Sequence, residues 1–387
     1  MSEKCVDIMM RLLRKGICDP DLELNIDSIS DEDIIKLYEL SNTQDLAHII
    51  SHVLSENGVR YNSDVAKKFE EKQMLAIFRS ENIEYETKRI CEILEKGKIE
   101  HIPLKGAVLR HYYPEMWMRT SCDVDILVHE EDIDRVCSYF AEHEEFKFDH
   151  KNGHDVSFYT PGGIHIEFHY NLMETGRAQR SSEVLKTVWE ESSVKDGYEY
   201  QREITNEFFY VYHISHMVKH FVFGGCGVRT FLDLWILNHI IKYDESRAKA
   251  LLEKCDLVSF QENAKKLSEV WFSGNEPDEL TRKMESYILT GGIYGDFKKK
   301  VTIIQMKKGG KLKYAFHRIV LPYDSIKYQY PILERHKWLT PFFQVVRWVR
   351  LIFEGKVKRS VEELKMSKNI SQSETDEIKT LLEDVGL

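Results

Sequence analysis

The sequence contains no apolar run that approaches the about 18 residues of a membrane-spanning helix, and its opening residues, Met1 to Cys5, are polar. We therefore expect neither a signal peptide nor a transmembrane segment. Its seven cysteines include no CxxC pair and no close cluster. Scattered cysteines of odd number are more typical of a reducing compartment than of a disulfide framework, so we expect a cytoplasmic location.

An excess of positive charge is also missing. The 54 lysines and arginines are outnumbered by 64 aspartates and glutamates, which gives a formal net charge of −10. This balance argues against a general nucleic-acid-binding protein, because such proteins neutralise phosphates with basic surfaces. No internal repeat is evident. A chain of 387 residues is longer than one ordinary hydrophobic core can serve, so we expect two or three domains.

One short region carries most of the chemical information in the chain. The segment Leu104-Lys105-Gly106 is followed by Arg119 and then by Asp123-Val124-Asp125, which lies in an apolar run. Residues i and i+2 of a β-strand point to the same face, so the two aspartates should project side by side. Adjacent carboxylates repel one another unless protons or a cation screen them, and a hard cation such as Mg²⁺ prefers oxygen ligands. About 40 residues later, the alternating strand Glu167-Phe168-His169 supplies another acid.

This pattern resembles the nucleotidyltransferase superfamily of DNA polymerase β. It is most similar to a poorly characterised bacterial family whose pattern is leucine-lysine-glycine, a helix, an arginine, a D-x-D strand and an acid-x-histidine strand. The sequence departs from the superfamily at Ala107, where a serine is usual, and at Glu167, where many relatives have aspartate. The resemblance implies an α+β fold, in which a small mixed-sheet nucleotidyltransferase core is flanked by helical N-terminal and C-terminal regions.

The acids have the central role in the chemistry that this resemblance implies. Asp123 and Asp125 would hold the Mg²⁺, or alternatively Mn²⁺, that neutralises a nucleoside triphosphate. Glu167 would be either a further metal ligand or the base that activates the acceptor. We expect Asp125→Asn to abolish transfer and, by relieving carboxylate repulsion, to stabilise the protein slightly.

The residues before the D-x-D strand would contact the nucleotide. Gly106 would let the backbone approach a phosphate closely, with the amides of the following helix directed at it. Lys105 would contact a phosphate or, equally, remain solvated beside the turn. Arg119 would pair with phosphate or brace Asp123 through a bidentate contact, and the alternative is a structural salt bridge.

The histidines allow a rival interpretation. His165 and His169 share one face of a predicted strand with Glu167. His213, His216 and His220 share one face of a predicted helix. Together they could build a transition-metal site, although no HExxH motif is present. We expect instead that His169 or His220 orients a carboxylate or the substrate. In the plainest alternative, the helix histidines pack between domains.

Periodicity divides the chain into three regions. These are a helical N-terminal region at 1–97, the nucleotidyltransferase core at 98–175 and a mainly helical C-terminal region at 176–387. The clearest predicted helices are 31–40, 66–94, 210–222 and 229–241. Strands are predicted at 99–104, 124–128, 146–148, 155–159 and 164–170, with 124–128 as the central strand.

The C-terminal region contains two features with open interpretations. A basic segment at 298–318 is either solvated surface or a surface that holds RNA or another polyanion. Aromatic residues then follow at roughly helical intervals, namely Trp338, Phe342, Phe343, Trp348 and Phe353. They predict a packed amphipathic helix first, and a membrane-surface or partner-binding helix second.

Two classes of function are consistent with these patterns. The first is a metal-dependent nucleotidyltransferase that moves a nucleoside monophosphate from a nucleoside triphosphate to a small molecule, a protein or an RNA. The second is a catalytically silent protein of the same fold that binds a nucleotide or a protein partner. Because a small core offers little surface for a second substrate, we expect the later helices to form the other wall of a cleft. The residues expected to line it are Lys219, His220, Arg229 and Asp233, and the alternative is a polar network remote from the acids.

Overall fold

The structure, a computed structural model, describes residues 3–24, 29–59, 61–142, 145–151, 153–172, 180–292, 297–353 and 357–387. The α-helices before the sheet are Glu3–Leu13 (α1), Asp31–Thr43 (α2), Ala47–Glu56 (α3) and Ser63–Lys96 (α4). Helix α2 begins where predicted because Ser30 and Asp33 form a capping box that satisfies the first backbone amides. The predicted helices at 31–40 and 66–94 are confirmed.

Five strands form one mixed sheet in the order β1-β2-β5-β4-β3. They span His101–Pro103 (β1), Asp123–Val128 (β2), Lys147–Lys151 (β3), Asp155–Tyr159 (β4) and His165–His169 (β5). Strand β2 runs parallel to β5, and the other pairings are antiparallel. The prediction that β2 is the central strand is wrong, because β5 holds that position. Strand β3 also begins later and extends further than predicted.

The two faces of the sheet differ in polarity. On one face, apolar strand residues form a buried cluster with residues of α4 and of the helix Ile133–Glu142 (α6). The strand residues of this cluster include Val124, Ile126, Val156, Phe158, Ile166 and Phe168. Because side chains alternate along a strand, the acids and histidines of β2 and β5 lie on the opposite face. A slip of one residue would bury the acids against α6, so the apolar face fixes the register of the polar one.

Short elements connect the sheet to the later helices. The turn after β1 leads into Gly106–Leu109 (α5), which continues as 3-10 turns at Arg110–Tyr112 and Met116–Met118. After Ser181–Leu185 (α7), strands Ser192–Val194 (β6) and Arg202–Ile204 (β7) form a hairpin that bridges to His101 through Gln201. Sequence analysis missed this hairpin because three-residue strands are too short to show an alternating pattern.

The helices that precede the sheet in the chain and those that follow it share one hydrophobic core. The later helices are Asn206–Val222 (α8), Val228–His239 (α9), Glu245–Cys255 (α10), Val258–Phe272 (α11) and Glu279–Leu289 (α12). Their buried side chains form a single cluster with those of α1, α2 and α3. Gln44 links the two sets directly, since its side chain donates to Gly291 O at 2.7 Å and accepts from Val228 N at 3.1 Å. The α+β fold is confirmed, whereas the predicted boundary at 175/176 lies outside the described residues.

The remaining helices follow residue 296. They are Phe297–Lys307 (α13), Lys311–Ile319 (α14), Tyr323–Gln329 (α15), Ile332–Arg335 (α16), Thr340–Phe353 (α17), Val357–Asn369 (α18) and Gln372–Asp384 (α19). Among the described residues, no helix combines the length and the apolar composition needed to cross a membrane. The prediction that the aromatic residues of this region pack inside is wrong for three of them, because Trp338, Phe342 and Phe353 are 76%, 61% and 86% exposed.

Candidate active site

The pairing of β2 with β5 brings the predicted acids together. Asp125 lies directly beside Glu167, and Asp123 lies beside His165, in the parallel register of the two strands. All four side chains therefore share the polar face of the sheet. Asp125 is buried, whereas Asp123 and Glu167 are half-buried. Asp123 lies at the edge of a cavity, and Glu167 lies beside that cavity.

Asp125 is held by two cationic side chains. Its Oδ1 atom lies 2.7 Å from His169 Nε2 and 3.0 Å from Lys105 Nζ. Burial acts to raise the pKa of the Asp125 carboxyl, but the charges and hydrogen bonds of Lys105 and His169 outweigh it and hold the pKa well below its usual range. His169 Nε2 also lies 3.3 Å from Glu167 Oε2. Although burial opposes its charged form, these two carboxylates raise the pKa of His169 to about 9.

Lys105 reaches Asp125 from an unusual backbone conformation. Its φ of 45° and ψ of −115° place a non-glycine residue in a region that glycine favours. This conformation joins β1 to α5, and the Lys105 side chain meets the D-x-D strand there. The next residue, Gly106, has no room to spare, since a Cβ atom would lie 3.3 Å from Ser121 Cβ. The glycine thus permits close contact between the turn and the segment that precedes β2.

Asp123, unlike Asp125, has a raised carboxyl pKa. Its carboxylate makes no hydrogen bond or ion pair with the residues that the structure describes. Burial, followed by the nearby charge of Asp125, raises the pKa of the Asp123 carboxyl despite the attraction of Lys105. An ionised Asp123 beside Asp125 and Glu167 would gain from a cation in direct contact with it, and none of the described side chains makes such a contact.

The polar face has the ligand types that a metal ion requires. One ligand atom from each of Asp125, Glu167 and His169 lies within 4.8 Å of the others, and Asp123 is two residues from Asp125 on the same face. A second group with the same spacing, Asp149, His150 and His165, lies further along this face. It was not predicted, because the β-bulge between Phe148 and His150 interrupts the alternation of β3.

Helices α8 and α9 form the other wall of a cavity of about 300 Å³ beside these acids. Residues from the sheet side include Lys105, Gly106, Arg119, Ser121, Asp123 and Asp125. The helical wall includes Tyr212, His213, His216, Lys219, His220, Arg229 and Asp233. The four residues that we expected in the later helices therefore line the same cavity as the D-x-D acids.

Arg119 is fixed by Asp233 rather than by Asp123. Its Nε atom donates to both carboxylate oxygens of Asp233, at 2.7 and 3.0 Å, and Tyr113 Oη donates to Asp233 Oδ1 at 2.7 Å. Burial raises the pKa of the Asp233 carboxyl, but the Arg119 charge more than offsets this effect and lowers it. The expectation that Arg119 braces Asp123 is thus replaced by a buried ion pair that joins the segment before β2 to α9.

Arg229 is held in a similar way by residues outside the sheet. Its Nη1 atom donates to Asp45 Oδ2 at 3.0 Å and to both Thr120 O and Thr120 Oγ1, at 3.0 and 2.9 Å. Thr120 Oγ1 in turn donates to Asp45 Oδ2 at 2.7 Å. The turn between α2 and α3 therefore holds a cavity residue in place, which sequence analysis did not predict, because Asp45 and Arg229 lie 184 residues apart in the chain.

The helix histidines do not join the strand histidines around one ion. His213 bonds to Thr230 O at 3.1 Å, and His216 Nε2 lies 2.9 Å from His220 Nε2. Burial and neighbouring lysine charges lower the pKa of His216 well below its usual range and that of His220 to about 4. The potential metal-ligand groups among the described residues include none of these three. Two neutral imidazoles therefore face the cavity near Lys219.

Ser121 is a cavity residue that sequence analysis missed. Its Oγ accepts from Arg110 Nη2 at 2.7 Å, and the residue is adjacent to Gly106 in space. It places a hydroxyl close to the turn in which Ala107 replaces the usual serine. The signal was present in the sequence, because Ser121 is two residues before Asp123 on the approach to the same strand.

Comparison with known proteins identifies the family of the chain. A family model described as an uncharacterised nucleotidyltransferase matches residues 30–273, well over half of the chain. The matched range includes the sheet, the D-x-D acids and both walls of the cavity. No curated protein and no solved structure matches the chain. With this geometry and this match, the chain belongs to the uncharacterised nucleotidyltransferase family.

Proposed function

We propose that this protein transfers a nucleoside monophosphate from a nucleoside triphosphate to an acceptor, in a reaction that requires a divalent metal ion. One observation carries the proposal. Asp123, Asp125 and Glu167 share a sheet face beside a cavity whose opposite wall presents Lys219. An acidic face that can hold a metal, set opposite a lysine, suits a substrate made of phosphates.

The residues of this face fit a divalent cation. Asp123, Asp125 and Glu167 would hold it, because carboxylate oxygens are the ligands that Mg²⁺ and Mn²⁺ prefer. When bound, the ion would neutralise phosphate charge and polarise the bond that breaks. The raised pKa of Asp123 and its lack of an ion pair among the described residues support a cation at this position.

The protein's own side chains prepare the acids for this role. His169 holds a proton between Asp125 and Glu167 and so fixes the positions of both carboxylates. The pKa of Glu167 is lowered, first by its hydrogen bond from His169, so this side chain is ionised at neutral pH and able to accept a hydrogen bond from an acceptor hydroxyl. Lys105 lines the cavity beside Asp125, where its ammonium is available to a phosphate oxygen.

The helical wall supports the acceptor side of the proposal. Arg119 and Arg229 are each paired with a carboxylate, Asp233 and Asp45 respectively, so we assign them a positioning role rather than direct contact with phosphate. His216 and His220 are neutral, half-buried and adjacent, which suits hydrogen bonding to an uncharged acceptor group.

A labelling experiment tests the proposal. Purified protein is incubated with nucleoside triphosphates labelled at the α-phosphate, with Mg²⁺ or Mn²⁺, and with a cell extract as the source of acceptor. We expect label to enter an acceptor fraction with wild-type protein and not with Asp125→Asn. Asp134→Asn is the matched control, because Asp134 is 93% exposed on α6 and lies away from the polar face of the sheet. Transfer at the wild-type rate by Asp125→Asn would remove the acids from the mechanism.

A catalytically silent nucleotide-binding protein is the second candidate. The observation that favours it is the full neutralisation of Asp125 by Lys105 and His169. If it is correct, wild-type protein will bind a nucleoside triphosphate without a divalent ion and transfer no label. Equilibrium dialysis with and without EDTA separates the two candidates.

A further inference from the structure

The helix α17 has its polar and apolar faces reversed relative to a helix on the surface of a water-soluble domain. Its buried residues are Gln344 and Arg347. The Gln344 side chain donates to Leu321 O at 2.6 Å and accepts from Leu321 N at 3.2 Å. Arg347 Nη2 donates to Ile319 O at 2.6 Å. The inner face of α17 is therefore attached through polar contacts.

The outward face of α17 is apolar along its whole length. Trp338, just before the helix, is followed at alternating four- and three-residue steps by Phe342, Val345, Val349 and Ile352, all at least 46% exposed. This spacing keeps the five side chains on one face. Phe353 extends the face at the C-terminal end, where its side chain is 86% exposed.

Helix α14 repeats the arrangement next to α17. Leu312, Phe316 and Ile319 follow one another at helical spacing and are 88%, 61% and 46% exposed. The carbonyl of Ile319 accepts hydrogen bonds from both Arg347 and Trp348, which attaches the end of α14 to α17. In the described part of residues 297–370, twelve large apolar side chains are exposed and six are buried, so fully exposed apolar side chains outnumber buried ones in this unit by two to one.

Residues 297–370, which we call the basic unit, are also strongly positive. They contain 18 lysines and arginines against five aspartates and glutamates, a net charge of +13 in a chain whose total is −10. This charge decides between occupants of the apolar face. A second copy would bring two units of +13 together, and RNA would gain neither stacking nor hydrogen bonds from Val345, Val349 and Ile352. An anionic lipid surface satisfies both features, because headgroups attract the lysines and the acyl boundary receives the apolar side chains.

We infer that the basic unit binds the surface of an anionic phospholipid membrane, with α17 lying in the interface and its Trp338–Phe353 face directed into the bilayer. The inference is independent of the proposed nucleotidyl transfer, since the unit lies outside the matched range 30–273 and none of its described residues lines the cavity of the candidate active site. It places the protein on a membrane surface, although no helix in the part of the chain that the structure describes is long and apolar enough to span one.

Vesicle flotation of the full-length protein tests this inference. The vesicles contain either phosphatidylcholine alone or equal parts of phosphatidylcholine and phosphatidylglycerol. We expect the protein to float with the anionic vesicles, to remain in the soluble fraction with the neutral ones, and to be released as salt is raised. Failure to float with anionic vesicles at low salt would overturn the inference. Binding to single-stranded RNA without binding to vesicles, or dimerisation that removes vesicle binding, would also overturn it.

Two sets of variants separate the apolar and electrostatic contributions. Phe342→Ser with Phe353→Ser should weaken binding by more than about tenfold, since each ring loses its insertion into the acyl boundary. Lys308→Gln with Lys313→Gln should weaken it by about fivefold for each charge removed. These residues are exposed, so the fold should be retained, and circular dichroism checks this.

The matched control is Phe78→Ser on α4. Phe78 is 66% exposed, comparable to Phe342, but residues 70–84 around it carry four glutamates against two basic residues, Lys72 and Arg79. This variant should float as wild type does. An equal loss of flotation in Phe78→Ser and in the Phe342/Phe353 variant would show non-specific adhesion of exposed rings and would refute a dedicated membrane face.

Discussion

Asp125→Asn and Asp123→Asn should change stability in opposite directions, although they remove the same charge two residues apart. Asp125 is buried and paired with Lys105 and His169, so its loss leaves two cations without their partner. Asp123 is repelled by Asp125 and has no ion pair among the described residues, so its loss relieves repulsion. The earlier expectation that Asp125→Asn would be slightly stabilising is therefore corrected, because sequence analysis did not anticipate the two cations.

The magnitude follows from His169. Its folded pKa of about 9 lies above the ordinary 6.5, a difference worth roughly 3 kcal/mol of stability while the histidine is protonated in both states. Because the folded pKa is raised, this contribution is complete below pH 6.5 and is lost as the pH rises through 9. Glu167 retains part of it in the variant, so we expect Asp125→Asn to cost about 2 kcal/mol at pH 6 and clearly less at pH 9.5.

Urea unfolding at the two pH values measures this effect. Wild type, Asp125→Asn and Asp123→Asn are compared, and only differences between proteins at one pH are used, so that other titrating groups cancel. We expect Asp125→Asn to unfold at the lowest urea concentration at pH 6 and Asp123→Asn at the highest. Equal stability of wild type and Asp125→Asn at pH 6 would show that His169 and Lys105 do not depend on Asp125 for their charge.

Three further outcomes test the geometry. Lys105→Gly should lower transfer strongly, yet it should destabilise the protein less than Lys105→Ala does, because glycine tolerates a φ of 45° without strain. Transfer assays and thermal melts of both variants check this. Asp233→Asn should cost about 3 kcal/mol in urea unfolding by leaving Arg119 buried without its partner, whereas Asp134→Asn on the surface should cost almost nothing. Gly106→Ala should raise the KM for nucleoside triphosphate in transfer assays, since its Cβ would press on Ser121 Cβ at 3.3 Å while the acids remain in place.

The shared face of Asp123 and Asp125 was predictable because it is local. Two residues at spacing two need only the pleat of one strand to share a face, and the alternation of β5 likewise places Glu167 with His165 and His169. The apolar residues of β2 and β5 also fix which side of the sheet the acids occupy, whereas the parallel register that puts Asp125 beside Glu167 comes from the structure, because a slip of two residues would keep the same face. The two helices α8 and α9 were predicted because their patterns are likewise local.

The partners of the cationic residues were not predictable in this way. Arg119 pairs with a carboxylate 114 residues away, and Arg229 pairs with one 184 residues away in the opposite direction. Such contacts depend on how helices pack, and no local pattern encodes them. The outward face of α17 was misjudged for a related reason, since an amphipathic pattern shows that a helix has an apolar face but not which way that face is turned.

The ion pair between Arg119 and Asp233 has a consequence for the order in which the site forms during synthesis. Because 114 residues separate the two partners, a ribosome that adds about 5 to 20 residues per second needs roughly 6 to 23 s to pass from one to the other. During that interval the strand with Asp123 and Asp125 has already emerged, but the segment before it has no carboxylate to hold Arg119. A nascent chain released before α9 emerges would keep its sheet residues and lack an assembled cavity.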